Sequence, residues 1–194
     1  MSWMKLEYEV ILEWVKKGSS VLDLGCGTGD LLEALVKNNA VKAQGLEIDE
    51  KAIYECVAKG LSVIHQDIET GLPEYLDRSF DYVILAGSLQ QVKKPDTVLT
   101  EAQRVGRKTI VSFPNFGHYR VRTQIFFGGK VPVTPSLPFE WYNTPNLHFL
   151  SISNFIDYCK KRNIHIEKSA FLSQSRVKVL PNLRAETAVF MLSA

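Results

Sequence analysis

Val21-Leu22-Asp23-Leu24-Gly25-Cys26-Gly27-Thr28-Gly29 decides the fold of this chain. The apolar run Val21 to Leu24 predicts a strand, and glycines at alternate positions predict a tight turn. Asp30, followed by Leu31, Leu32, Leu35 and Val36 at helical spacing, predicts a helix. Alternate glycines permit a sharp turn whose N–H groups stand close to a ligand, because no Cβ intervenes. The first turn of the helix adds unpaired donors and a partial positive charge. A nucleotide-like ligand is the expectation over such a turn.

Working outward, Trp3, Leu6, Val10 and Trp14 share one helical face, with Lys16, Lys17 and Gly18 as its expected end. Residues 42–48 read as a second strand that closes on Glu47, Ile48 and Asp49. Asp49 is placed to cap a helix over 50–59, closed by Gly60. Further strands are predicted at 61–66, 80–86 and 109–113, with a loop over 69–79 and a helix over 96–104. Strands alternating with helices imply parallel pairing and a doubly wound α/β sheet. The rhythm breaks at 115–150, a loop-rich stretch with Pro132, Pro135, Pro138, Pro145 and many aromatics. After it, Ser153 is expected to cap a helix carrying Phe155, Ile156 and Cys159 inward, and two apolar runs, 164–172 and 185–192, fit an antiparallel pair.

Composition bounds the function. A chain of 194 residues, 45% apolar and 23% charged, fits one globular domain over 1–194 with an insertion at 115–150. A net charge of +2 gives no nucleic-acid or membrane surface. Arg104, Arg107, Lys108, Arg120 and Arg122 form a modest basic set without a recognition module. Cys26, Cys56 and Cys159 are scattered and odd in number, so neither a disulfide framework nor a metal site is expected, and a reducing cytoplasm is the expected compartment. Glu7, Glu9 and Glu13 among the early apolar residues argue against a signal peptide or membrane span there.

A dinucleotide fingerprint has its third glycine one position later than Gly29, where this chain has Asp30. Glu47, 22 residues beyond Gly25, is placed to accept both hydroxyls of a ribose, and Asp67 to meet an adenine edge. This ordered set of G-x-G-x-G and two acids resembles the class I S-adenosylmethionine-dependent methyltransferases. The implied cofactor, S-adenosylmethionine or S-adenosylhomocysteine, is expected on Asp23, Gly25, Cys26, Gly27, Gly29, Glu47, Ile48, Asp67, Ile68 and Ala86. Asp23 is expected to orient the turn, and Cys26 reads as a small packing residue rather than a nucleophile.

A longer set narrows the resemblance. Ser112-Phe113-Pro114-Asn115-Phe116-Gly117-His118-Tyr119-Arg120, Gly128-Gly129-Lys130-Val131-Pro132-Val133-Thr134 and Glu140-Trp141-Tyr142-Asn143-Thr144-Pro145-Asn146-Leu147-His148 resemble the MetW family of methionine-biosynthesis proteins. Cys56-Val57-Ala58-Lys59-Gly60 and Gln66-Asp67 are similar to it too. The resemblance implies a three-layer, Rossmann-like class I methyltransferase fold, with a mostly parallel seven-stranded sheet ending in an antiparallel hairpin. It also implies a partnership with a MetX-type homoserine O-acyltransferase. Many small-molecule methyltransferases carry Glu-His-Val after strand four, where Leu89-Gln90-Gln91-Val92 stands here; Gln91, a neutral amide, takes no proton at neutral pH. No catalytic residue is assigned. His118, Tyr119, Tyr142 and His148 are each either a polar group near the cofactor or a packed loop residue. Two function classes remain: an accessory subunit that docks the acyltransferase through 115–150, and a small-molecule methyltransferase with the same stretch as its lid.

Overall fold

The computed structural model describes residues 5–193; the expected place of Trp3 on the first helix lies outside them. Seven strands, β1 (Ser20–Leu24), β2 (Lys42–Glu47), β3 (Val63–His65), β4 (Phe80–Ala86), β5 (Gly106–Pro114), β6 (His165–Leu172) and β7 (Thr187–Ser193), form one sheet in the order β3-β2-β1-β4-β5-β7-β6. The first five pair in parallel, and β7 slots antiparallel between β5 and β6. The mostly parallel sheet with antiparallel C-terminal strands is the fold class expected above. Its central strands are apolar on both faces because helices cover both, as a parallel sheet requires.

The helices are α1 (Leu6–Trp14), α2 (Asp30–Asn39), α3 (Glu50–Ala58), α4 (Pro95–Val105), α5 (Tyr119–Gly128), α6 (Ile152–Lys161) and the short α7 (Pro181–Arg184). One face of the sheet packs on α4 and α6 through Val98, Leu99, Ala102, Phe155 and Cys159. The other packs on α1 and α2 through Val10, Ile11, Trp14, Leu31 and Leu35. Alternation along β5 serves the two cores in turn: Ile110 faces α1, and Val111 faces α4 and α6.

Four local expectations change. The first helix ends at Trp14, before the lysines, because the Asn39 side chain donates to the carbonyls of Leu12 and Val15 at 2.9 and 2.6 Å and satisfies the helix end there. Val36, counted with Leu31, Leu32 and Leu35 in the helical pattern, does not share their burial and is 40% exposed. Ser151, not Ser153, caps α6, its hydroxyl accepting from the Asn154 N–H at 3.2 Å. The stretch 115–150 also contains a ten-residue helix, α5. Residues 119–128 hold no proline, and Gly129, in the left-handed region at φ 59°, stops the helix before Pro132.

Asn115 ties this stretch to the body. It is fully buried, and its amide donates to the carbonyls of Asn182 and Ala185 at 3.1 and 2.8 Å. Its oxygen accepts from the N–H groups of Gly117 and Ile152 at 3.0 and 3.2 Å. One side chain thereby joins the end of β5, α7 and the start of α6, with both faces of its amide satisfied. Asn115→Ala leaves buried backbone groups unpaired and is expected to lower unfolding free energy by about 3 kcal/mol. Asn115→Asp, which keeps the shape but loses the donors, is expected to cost at least as much. Urea denaturation of the three proteins checks this, and an aspartate variant as stable as wild type contradicts it.

Candidate functional site

Strand order reverses between β1 and β4, and in open α/β sheets ligands bind in the crevice at the carboxyl ends of such strands. Here that crevice is a cleft of about 480 Å³. Of the ten residues expected to hold a cofactor, Gly25, Gly27, Glu47, Ile48, Asp67, Ile68 and Ala86 line it. Asp23, in β1 beneath the turn, and Cys26 and Gly29, within the turn, do not. The residues missed are Gly87, Ser88, Gln91, Val92 and Lys93 on the β4 side, with Leu46, Gln66 and Glu69. A signal was present in Gly87, a glycine directly after a strand, which adopts φ 79°.

The turn is left-handed at Gly25, φ 77°, and a Cβ there would stand 2.9 Å from the Ser88 Cβ. Ser88 in turn donates its hydroxyl to the Leu24 carbonyl at 2.7 Å, so the ends of β1 and β4 are held together under the cleft. Gly29, φ 79°, precedes α2, and a Cβ there would meet Leu61 at 2.6 Å and the Cys56 sulfur at 2.7 Å. The segment Cys56 to Gly60 therefore buttresses the turn from outside. The Cys56 thiol donates to the Gly27 carbonyl at 3.2 Å, and the Lys59 ammonium donates to the Thr28 carbonyl at 2.8 Å and to Asp30 at 2.5 Å. Cys26 packs inward, its sulfur filling the space over Gly45, and burial raises its thiol pKa far above the reactive range.

Glu47, expected to accept ribose hydroxyls, also makes contacts within the protein through both oxygens. Its Oε2 accepts from the Gly27 N–H at 2.7 Å, and its Oε1 accepts from the N–H groups of Ile48 and Asp49 at 2.8 and 3.0 Å. The carboxylate thus pins the glycine turn to the end of β2. A diol reaching Glu47 meets acceptor sites already partly used, since a carboxylate offers about four. Asp67 caps the 3-10 turn Ile68–Thr70 by accepting from the Glu69 N–H at 2.8 Å through Oδ1. Glu69 reaches across to the N–H groups of Lys93 and Lys94, closing one wall of the cleft.

Gln91 lines the cleft, and its amide nitrogen donates to the Gly87 carbonyl at 2.9 Å. None of His118, Tyr119, Tyr142 and His148 lines it. His118 is buried against the Tyr119 ring, and burial lowers its pKa. His148 Nε2 lies 3.0 Å from the Val92 carbonyl oxygen, and Tyr142 is on the surface. A second cavity, of about 600 Å³, adjoins the cleft and shares Ala86, Gly87 and Gln91 with it.

The strand order, the glycine turn after β1 and the acids after β2 and β3 define a class I methyltransferase fold. Solved SAM-dependent methyltransferases from Archaeoglobus fulgidus (TM-score 0.68, 16% identity, 96% of this chain and 94% of that one) and Aquifex aeolicus (TM-score 0.67, 16% identity, 97% and 90%) share it. Within that class, the family model for "Methionine biosynthesis protein MetW" matches residues 5–192, and the chain belongs to the MetW family. The bifunctional methionine biosynthesis protein MetXA/MetW of Rhodopirellula baltica is 36% identical over 96% of this chain. The match spans 32% of that longer protein.

Asp23 is the unusual group beneath the turn. It is 1% exposed, and its Oδ1 has no hydrogen-bond partner among the described residues. Burial, reinforced by the charge of Glu47, pushes its carboxyl from 3.8 up to about 7. The folded state therefore keeps the proton over a pH range where the unfolded chain has lost it. Below about pH 4 both states are protonated; as pH rises to about 7 stability falls, by about 1.4 kcal/mol per unit. Asp23→Asn cannot ionise. Its stability relative to wild type is expected to rise by about 4 kcal/mol between those limits and then level off. Denaturation curves for both proteins across this range check it, and a pH-independent difference contradicts it.

Proposed function

We propose that this chain, as one domain over 1–194, binds S-adenosylmethionine or S-adenosylhomocysteine and serves in the cytoplasm as the accessory, activating subunit of a MetX-type homoserine O-acyltransferase. The observation that carries this reading is the relative named MetXA/MetW, in which a MetW-like segment and a MetX-type segment share one polypeptide. Fusion keeps two functions at high effective concentration, which benefits units that work in contact.

The cofactor part rests on the donor set. Gly25 and Gly27 leave backbone room for the ligand, Glu47 and Asp67 carry acceptors for ribose and adenine, and Ile48 and Ile68 cover apolar rings. Asp23, buried beneath the turn rather than lining the cleft, orients the glycine turn toward the amino-acid end of the cofactor. Gln91, a neutral amide where many small-molecule methyltransferases carry a histidine, lines the cleft and supplies no base, which suits binding without turnover. The docking part rests on the surface of 115–150. Phe126 and Phe127 are each 81% exposed and Trp141 and Tyr142 about 70%, and aromatics of this kind anchor interfaces.

A second reading, methyl transfer to a small molecule, has one observation in its favour: the 600 Å³ cavity beside the cleft. It requires a methylated product.

Calorimetry with S-adenosylhomocysteine is expected to show binding that Glu47→Ala weakens by at least about tenfold, or 1.4 kcal/mol. Absence of binding to wild type overturns the cofactor assignment. Co-purification with the acyltransferase, with acylation assayed with and without the chain, tests the partnership. Phe126→Ser/Phe127→Ser is expected to abolish the complex while leaving S-adenosylhomocysteine affinity unchanged. A chain that neither binds the acyltransferase nor alters its rate removes the accessory role.

A further inference from the structure

The cavity beside the proposed cofactor cleft is lined by segments far apart in the chain. Its floor is the carboxyl end of β5 with the start of β7; Lys5, Leu6 and Glu7 at the start of α1 close one side, and residues 135–139 and 145–146 form the roof. Two polar side chains in its wall are more than nine-tenths buried and incompletely paired. Ser112 is 1% exposed and its hydroxyl has no partner among the described residues. Gln90 is 5% exposed; its amide nitrogen donates to the Gly87 carbonyl at 2.8 Å, but its Oε1 has no partner. Alternation along β5 sends the Ser112 hydroxyl to the α1 side with Ile110, the side that Lys5 to Glu7 enclose.

A buried, unpaired hydroxyl or amide oxygen is costly, and natural proteins keep few of them without a reason. The charges lining the same cavity indicate what kind of ligand suits these two groups. Glu7 and Glu186 line the cavity against the single cation Lys5. Glu186 is held by Arg120 at 3.3 Å. Glu7 makes no hydrogen bond or ion pair among the described residues, and burial raises its carboxyl pKa while nearby Lys5 opposes the rise. Phe113, Pro138, Phe139 and Leu172 supply apolar walls. An ammonium group donates three hydrogen bonds and accepts none, so it suits carboxylates and the Gln90 amide oxygen; a hydroxyl suits Ser112, which both donates and accepts.

We propose that this cavity is a second ligand site, taking a small primary ammonium compound that carries a hydroxyl at the far end of a short carbon chain. The ammonium pairs with Glu7 and the Gln90 oxygen, Glu186 adds to the negative field, and the hydroxyl meets Ser112. The site rests on the cofactor reading only for the identity of its neighbour across Ala86, Gly87 and Gln91.

The test is an amide NMR titration of the full chain with aminopentanol and, separately, with hydroxypentanoate, which has a carboxylate in place of the ammonium. Each is run with and without S-adenosylhomocysteine. Aminopentanol is expected to shift the amides of Gln90, Ser112 and Glu186, and hydroxypentanoate to leave them in place. Glu7→Gln and Ser112→Ala are each expected to weaken aminopentanol by about tenfold. Ser112→Ala is also expected to unfold at the same temperature as wild type or higher, since an unpaired buried hydroxyl is removed; a merely structural serine would not separate these two readouts. The proposal is overturned if aminopentanol shifts none of the three amides, if hydroxypentanoate binds equally well, or if Ser112→Ala loses stability with amine affinity unchanged. The S-adenosylhomocysteine arm, read at Gly27 and Glu47, reports on the cofactor reading separately.

Discussion

The contact on which the ligand cleft depends is the one between the Glu47 carboxylate and the Gly27 N–H, at 2.7 Å. A turn made of alternate glycines is free to adopt many conformations, and that freedom opposes a preformed binding surface. Glu47 removes it from one side by accepting from the turn while its other oxygen accepts from Ile48 and Asp49. Cys56 and Lys59 remove it from the other side by donating to Gly27 and Thr28 carbonyls. The turn is therefore clamped between β2 and α3, with left-handed Gly25 facing Ser88 after β4 and left-handed Gly29 facing Cys56 and Leu61. Its permissive residues make the shape possible, and the surrounding charged and thiol groups make it persist.

The same clamp explains the state of Asp23. A strand that must deliver a glycine turn to the switch point carries its last residues into the sheet interior, where a carboxylate is out of water. With Glu47 committed nearby, the field at Asp23 is negative, and the group holds its proton to about pH 7. A compact fold rarely tolerates this without function, because replacing a buried acid by a neutral group is stabilising. The orphan atoms of Ser112, near the end of β5, and of Gln90, in the turn after β4, are further buried polar atoms left unpartnered where packing alone favours apolar residues.

Much of the architecture was legible in the residues. Parallel strands buried on both faces are near-continuous apolar runs, as at 80–86 and 109–113, and these need no tertiary information to recognise. The turn and both acids were legible because glycine spacing and strand ends are local. What was not legible depended on partners distant in sequence. The early end of α1 is set by Asn39. The engagement of Glu47 is set by Gly27. The lysine and cysteine of Cys56-Val57-Ala58-Lys59-Gly60 have no apparent role until α3 is laid against the turn. Helix α5 was obscured for another reason: only Val121 of its ten residues is buried, so it has no apolar stripe to reveal its period.

That last point bears on what the 115–150 stretch is for. A helix that buries one residue gains little from packing on its own sheet, yet it carries Phe126 and Phe127 outward. Its base is locked by Asn115, which ties the segment to α6 and α7 and spends a fully satisfied buried amide on holding a mostly exposed element in place. A substrate lid needs mobility and a face turned toward the cleft; here the roof of the second cavity comes from residues 135–139 and 145–146, not from α5. The segment therefore divides into two physical jobs. The proline-rich part after Gly129 covers the cavity, while α5 presents Phe126 and Phe127 to solvent, which accords with the docking role proposed for this stretch.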